Sequence, residues 1–191
     1  ASWWVVVSPA MQQIVARSYM FLIFAELGAV LFLSFRITKM TPATAAGSFF
    51  VYSVLNGLTL SAIFAVFSLG SIVQAFVVAA GMFGAMAVYG LVTKRDLTSW
   101  GSFFFMGLIG IILVSVVNIF VKSEGLSFVV SIVGVFVFVG LTAYDNQKLK
   151  AFAHAGGPQS TNLAVIGALR LYLDFINLFL MLLQLFGGRR R

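Results

Sequence analysis

The residues with most chemistry to offer are the acids: there are only five in a chain of 191. Asp96 and Glu124 lie in short polar stretches beside basic residues and read as solvated charges. Glu26, Asp145 and Asp174 lie in or beside long apolar runs. An ionised carboxylate in hydrocarbon costs about 2.5–3.5 kcal/mol on insertion scales, so acids there are usually functional or paired. Asp174 is the clearest case, near the middle of Leu171-Tyr172-Leu173-Asp174-Phe175-Ile176-Asn177-Leu178-Phe179, and Asp145 ends Gly140-Leu141-Thr142-Ala143-Tyr144-Asp145. Two carboxylates brought together in low dielectric do not both ionise cheaply. They tend to share a proton, which makes the pair responsive to pH. Their oxygens also suit a hard cation such as Ca²⁺. The plainer reading is that each acid meets a nearby base. Arg170 precedes Asp174 by one helical turn, an ion-pair spacing, and Lys148 lies close to Asp145. Glu26, with Arg36 toward the end of its segment, fits a hydrogen-bonded acid inside a bundle. Arg36 either snorkels to headgroups or reaches inward to an aspartate.

The elements that position these residues are long apolar segments. A membrane helix needs about 20 mostly apolar residues, and six stretches qualify: 18–37, 43–67, 72–93, 99–120, 126–150 and 163–186. No charged residue occurs between Lys39 and Lys94, room for two crossings with a tight turn at Ser68-Leu69-Gly70-Ser71. The runs are continuous rather than alternating, which favours helices over a barrel. The connection before the last segment is taken as Ala153 to Thr161, so Asp145 and Asp174 lie roughly 12 and 20 Å from it at 1.5 Å per residue. Glycines within the segments, as in Ala80-Gly81, Gly84-Ala85 and Gly107 to Gly110, read as positions where helix backbones pack closely. Asn56, Asn118 and Asn177 read as polar points that hold helices together.

Composition leaves little alternative to lipid. The chain is 61% hydrophobic and 9% charged, with a mean hydropathy of +1.08, whereas about a quarter of a soluble domain's residues are charged. Its net charge is +7, but the cations sit in short clusters between apolar runs, which suits anionic lipid and not nucleic acid. Cysteine is absent and His154 is the single histidine, so thiolate sites, histidine metal sites and a Ser-His-Asp triad are not expected. No nucleophile–base or metal constellation points to an enzyme, and no cofactor is expected. The loops at 36–42, 93–98 and 147–161 carry Arg36, Lys39, Lys94, Arg95, Lys148 and Lys150 and are expected to be cytoplasmic, the opposite side holding Arg17 and Lys122. The same rule prefers a last segment that dips in and returns, keeping Arg189 to Arg191 inside.

The segments around Asp145 and Asp174, together with Gln147-Lys148, closely resemble the two C-terminal signatures of the Bax inhibitor-1 family. Asn56-Gly57-Leu58-Thr59-Leu60 and Thr93-Lys94-Arg95-Asp96-Leu97 are similar to its bacterial, YccA-like branch. The resemblance covers essentially the whole chain. It implies an all-α integral membrane protein of a bacterial inner membrane: a helical bundle with a central C-terminal helix, six helices here of the family's seven. Residues 1–191 are then one transmembrane domain lacking the first helix, whose end falls at Trp3 to Val7. The resemblance also implies a cytoplasmic start and a last helix that crosses, against the charge-rule preference. The activity it implies is a pH-sensitive Ca²⁺ leak gated by the aspartates matching Asp145 and Asp174, with Ca²⁺ as permeant or bound ion. In the family a basic residue at the end of the second helix latches the central aspartate, and Arg36 is the nearest match. Arg170 is a departure, since a small polar residue is more usual there; so close a cation weakens proton sharing. The alternative is a non-conducting regulatory protein that binds a membrane-embedded quality-control protease. The expected partners are the lipid bilayer, calcium ions or protons, and in the alternative that protease.

Overall fold

The computed structural model describes residues 18, 21–22, 24–26, 28–33, 36, 39–155 and 160–187. Six helices occur among them. A shorter apolar helix, α1, spans Phe24–Leu33. It is followed by α2 (Pro42–Thr59), α3 (Leu69–Val92), α4 (Thr98–Val121), α5 (Glu124–Ala155) and α6 (Ser160–Phe186). A 3₁₀ turn, Leu60–Ala62, and one further helical turn, Ile63–Val66, extend α2. Five helices are long and apolar enough to cross a membrane: Ala43–Val66, Leu69–Val92, Thr98–Val121, Glu124–His154 and Leu163–Phe186. The expected spans at Trp3 to Val7 and over much of 18–37, Arg17, and the tail Arg189 to Arg191 fall outside the described residues.

Local chemistry explains the boundaries. The Thr41 hydroxyl accepts the Thr44 N–H at 3.3 Å and caps α2. The α4–α5 connection is very short because Lys122 takes the left-handed conformation (φ 54°) and Asn118 bridges the gap. Its Oδ1 accepts the Ser123 N–H at 2.9 Å and its Nδ2 donates to Ser127 Oγ at 2.7 Å. Glu124 begins α5, an acid in the first turn where the helix dipole favours it, and is not a loop residue.

Two expected loops are shorter than the sequence suggested. Helix α3 starts at Leu69, so the turn expected over Ser68-Leu69-Gly70-Ser71 is confined to its start. Helix α5 runs on to Ala155, so residues 147–155, expected as loop, are helical. Nothing before Gly156-Gly157-Pro158 breaks a helix there, and polar residues at a membrane surface extend a helix as readily as they end one.

The chain forms two compact units. Among the described residues, one comprises those up to Ser68 together with 160–166; the other comprises 69–155 and 167–187. In the second, α3 and α4 both pack on α5. Gly90 of α3 sits against the Ala143 backbone, where a Cβ would come within 2.2 Å of the carbonyl oxygen, and Gly140 receives the Phe104 ring. Phe175 of α6 meets Phe76 and Phe83 of α3 edge to face, with centroids 5.6 and 5.4 Å apart. The glycines expected at close contacts are only partly the ones used. Gly107 meets Val137, but a Cβ at Gly81, Gly84 or Gly110 would have no neighbour within 4 Å; these three are exposed on the lipid-compatible surface.

Candidate functional site: a carboxyl pair between antiparallel helices

Helices α5 and α6 run antiparallel in one register. Ser131 Oγ meets Gln184 Oε1 at 2.8 Å, Gly134 lies under Met181, Asp145 meets Arg170 and Leu149 covers Gly167. Each step back along α5 matches a step forward along α6. Asp145 is thus level with Arg170, and Asp174 lies one turn further along α6.

Both aspartates are buried, 8% and 5% exposed, and their carboxyl groups lie within interaction range of each other and of Arg170. The Arg170 guanidinium donates from Nη1 to Asp145 Oδ1 at 3.4 Å. The ion pair expected within α6, from Arg170 to Asp174, is replaced by this one across helices. Register places Arg170 beside Asp145, and a base preceding an acid by four residues is the weaker orientation on a helix. Lys148, the other base expected to serve Asp145, turns to Tyr144 instead. Its Nζ lies 3.3 Å from the Tyr144 hydroxyl and 5.5 Å above that ring.

Asp174 Oδ2 is buried and has no hydrogen-bond partner among the described residues. A buried acceptor without a donor is rare and costly. Two facing carboxylate oxygens repel unless something positive lies between them, and a proton or a cation supplies that. Around the pair, sequence reasoning missed Thr142 and Asn146, both buried. They satisfy themselves within α5: Thr142 Oγ1 donates to Phe138 O at 2.7 Å, and Asn146 Nδ2 to Thr142 O at 2.8 Å. Neither supplies a donor to Asp174 Oδ2.

Glu26 is in the other unit, where its carboxylate accepts from Asn56 Nδ2 and from Thr59 Oγ1, the latter at 2.5 Å. This ties α1 to α2 and agrees with a hydrogen-bonded acid; the contribution of Thr59 was missed. Arg36 is exposed. Asn118 and Asn177 act locally, Asn177 Nδ2 donating to Leu173 O within α6. His154 is exposed on the last turn of α5, a helical position and not a loop one.

The sequence model of the family described as inhibitor of apoptosis-promoting Bax1 matches residues 1–191. The chain belongs to the Bax inhibitor-1 family. It is 49% identical over 196 residues to inner membrane protein YbhL of Escherichia coli strain K12, an alignment covering 99% of this chain and 84% of that protein. It is 47% identical over 178 residues to an uncharacterized protein of Borreliella burgdorferi, covering 92% and 77%. With an uncharacterized membrane protein of Streptococcus pyogenes serotype M1 it shares 43% over 163 residues, covering 85% and 71%. Family membership and five membrane-length apolar helices make this an all-α, multi-pass integral membrane protein, and the expected inner-membrane location agrees with the first of these relatives.

Proposed function

We propose that this Bax inhibitor-1 family protein is a pH-sensitive calcium (cation) leak channel of a bacterial inner membrane, with Asp145 and Asp174 as the sensor. The observation that carries this reading is that two buried carboxyls lie one helical turn apart in register, with Arg170 bonded to Asp145 and Asp174 Oδ2 left without a donor among the described residues. With both carboxyls ionised the trio holds one uncompensated negative charge; with one proton bound it is neutral. In a low-dielectric setting that difference changes which packing of α6 against α5 is favoured, and a ligand or proton that distinguishes two packings shifts their populations.

The same oxygens suit a passing cation. Two carboxylates offer at most four oxygens, whereas Ca²⁺ takes about six to eight. An ion at the pair therefore keeps part of its water and is held weakly, as conduction requires. Arg170 limits this attraction while it remains on Asp145, so ion entry and release of that guanidinium go together.

Calcium uptake by proteoliposomes at several pH values tests the proposal. The wild type is expected to pass Ca²⁺ at a pH-dependent rate, and Asp174→Asn to flatten the pH profile by removing the titrating partner. Asp145→Asn is expected to do the same. No uptake at any pH would overturn the channel and favour a regulatory protein that binds a membrane protease. Unchanged profiles in both variants would remove the sensor.

A further inference from the structure

A second constructed feature lies in the same unit as the carboxyl pair, at the connection between α3 and α4. Residues 93–97 join two membrane-length helices that end at Val92 and begin at Thr98, which places them at a bilayer surface. A cleft of about 430 Å³ there is lined by Lys94, Arg95 and Lys148 together with Tyr144, Thr98 and Gln147. Asp96 also borders it, with one carboxylate oxygen engaged by Thr98. Its Oδ1 accepts the Thr98 N–H at 2.9 Å and the Thr98 hydroxyl at 2.6 Å, and among the described residues it forms no ion pair with the three cations.

The cations project from a backbone that is pinned. Gln147 of α5 donates from Nε2 to Arg95 O at 2.7 Å and accepts the Leu97 N–H at 2.9 Å on Oε1. Lys150 Nζ donates to Leu91 O at 2.7 Å. Lys148 is held at the Tyr144 hydroxyl. A second cleft, of about 200 Å³, shares Arg95 with the first and is otherwise mostly apolar, walled by Met86, Tyr89, Trp100 and Phe104. A cationic mouth therefore adjoins an apolar slot whose wall includes an exposed Trp100, an aromatic suited to the headgroup level.

We propose that these adjoining clefts bind one anionic glycerophospholipid, its phosphate held by Lys94, Arg95 and Lys148 and an acyl chain laid against Met86, Trp100 and Phe104. Charge complementarity selects the occupant: three cations outnumber the one carboxylate at the cleft, whose Oδ1 is taken up by Thr98. Basic recesses between membrane helices bind anionic headgroups in this way. A free phosphate would use the cationic mouth alone and leave the apolar slot without a role. The proposal stands apart from the carboxyl pair and does not depend on ion conduction.

Trp100 reports directly on the slot. Trp3 and Trp4 are the other two tryptophans of the 191-residue chain, so its Trp3→Phe, Trp4→Phe variant leaves Trp100 as sole tryptophan emitter. In phosphatidylcholine vesicles carrying a minor fraction of phosphatidylglycerol brominated on its acyl chains, Trp100 is expected to be quenched well beyond the level set by that fraction. Brominated phosphatidylcholine at the same fraction should quench only at the random level. Adding Lys94→Gln, Arg95→Gln and Lys148→Gln should lower the phosphatidylglycerol preference by roughly an order of magnitude or more. Circular dichroism and monodispersity in detergent confirm that this variant is folded; if it is not, the single Lys94→Gln and Arg95→Gln variants carry the same test, each with a partial loss. Equal quenching by the two lipids, or an unchanged preference in the folded variants, would overturn the proposal. Displacement of the brominated lipid by millimolar inorganic phosphate would overturn it in favour of a free-phosphate site.

Discussion

Arg170 is the residue whose behaviour departs most from a reading of its own helix. It lies one turn from Asp174 yet bonds Asp145, so its removal should strip a buried acid of its cation. Breaking a buried pair by removing one partner costs several kcal/mol, but this guanidinium is half-exposed, so Arg170→Gln should destabilise by about 1–2 kcal/mol. Asp145→Asn in the same chain removes the stranded charge and should recover much of that loss, a coupling that thermal unfolding of the four-member mutant cycle in detergent would reveal. Additive losses would contradict the pairing. The partner was legible in principle: Asp145 lies ten residues before the end of α5 and Arg170 ten after the start of α6, so a helical hairpin brings them level. Sequence spacing on one helix proposes only partners on that helix, and Thr59 as a donor to Glu26 was hidden for the same reason.

Asp96 carries a residue-scale expectation outside the spans. The Thr98 hydroxyl, followed by the Thr98 N–H, lowers its pKa below the ordinary value of 3.8. A depressed folded-state pKa means that the contribution is fully present above the unfolded value and is lost as pH falls through the folded one. Between about pH 4 and lower values, hydrogen exchange of the Thr98 amide should accelerate in the wild type. Asp96→Asn should show no such acid-dependent step, since its amide does not titrate.

At the scale of elements, the helices were legible because their apolar runs are long and their ends are marked by charge. Boundaries were less so. The sequence signals that ended α5 near Lys150 were polar residues, and polarity marks the membrane surface rather than the end of the helix. Glycine was the other partial success. Small residues predict close packing but not which face of the helix carries it, so Gly81, Gly84 and Gly110 stand exposed while Gly90, Gly101 and Gly140 make the contacts. Gly90 has the least room to change, because its neighbour is the Ala143 backbone and not the tip of a side chain. Gly90→Ala should lower stability by about 1–3 kcal/mol through overpacking, whereas Gly84→Ala should be neutral or slightly stabilising in the same unfolding assay. Equal effects at the two positions would contradict the packing of α3 on α5.

At the scale of the whole molecule, composition alone identified lipid as the surrounding medium, and the exposed surface agrees: Phe103, Met106, Ile112, Leu113, Val117 and Phe120 of α4 all face outward. The relative depth of Asp145 and Asp174 was open in the sequence; the register of α5 on α6 puts Asp174 one turn beyond the level of Asp145. Composition could not supply the bond from Arg170 to Asp145, which depends on register between helices. The proposed sensor requires that the two carboxyls titrate as one unit. Infrared difference spectroscopy of the reconstituted protein across pH measures this most directly, by following the carboxyl bands in the wild type, Asp145→Asn and Asp174→Asn. The account predicts that each substitution displaces the titration midpoint of the carboxyl that remains. A remaining carboxyl that titrates in the variant as it does in the wild type would contradict it.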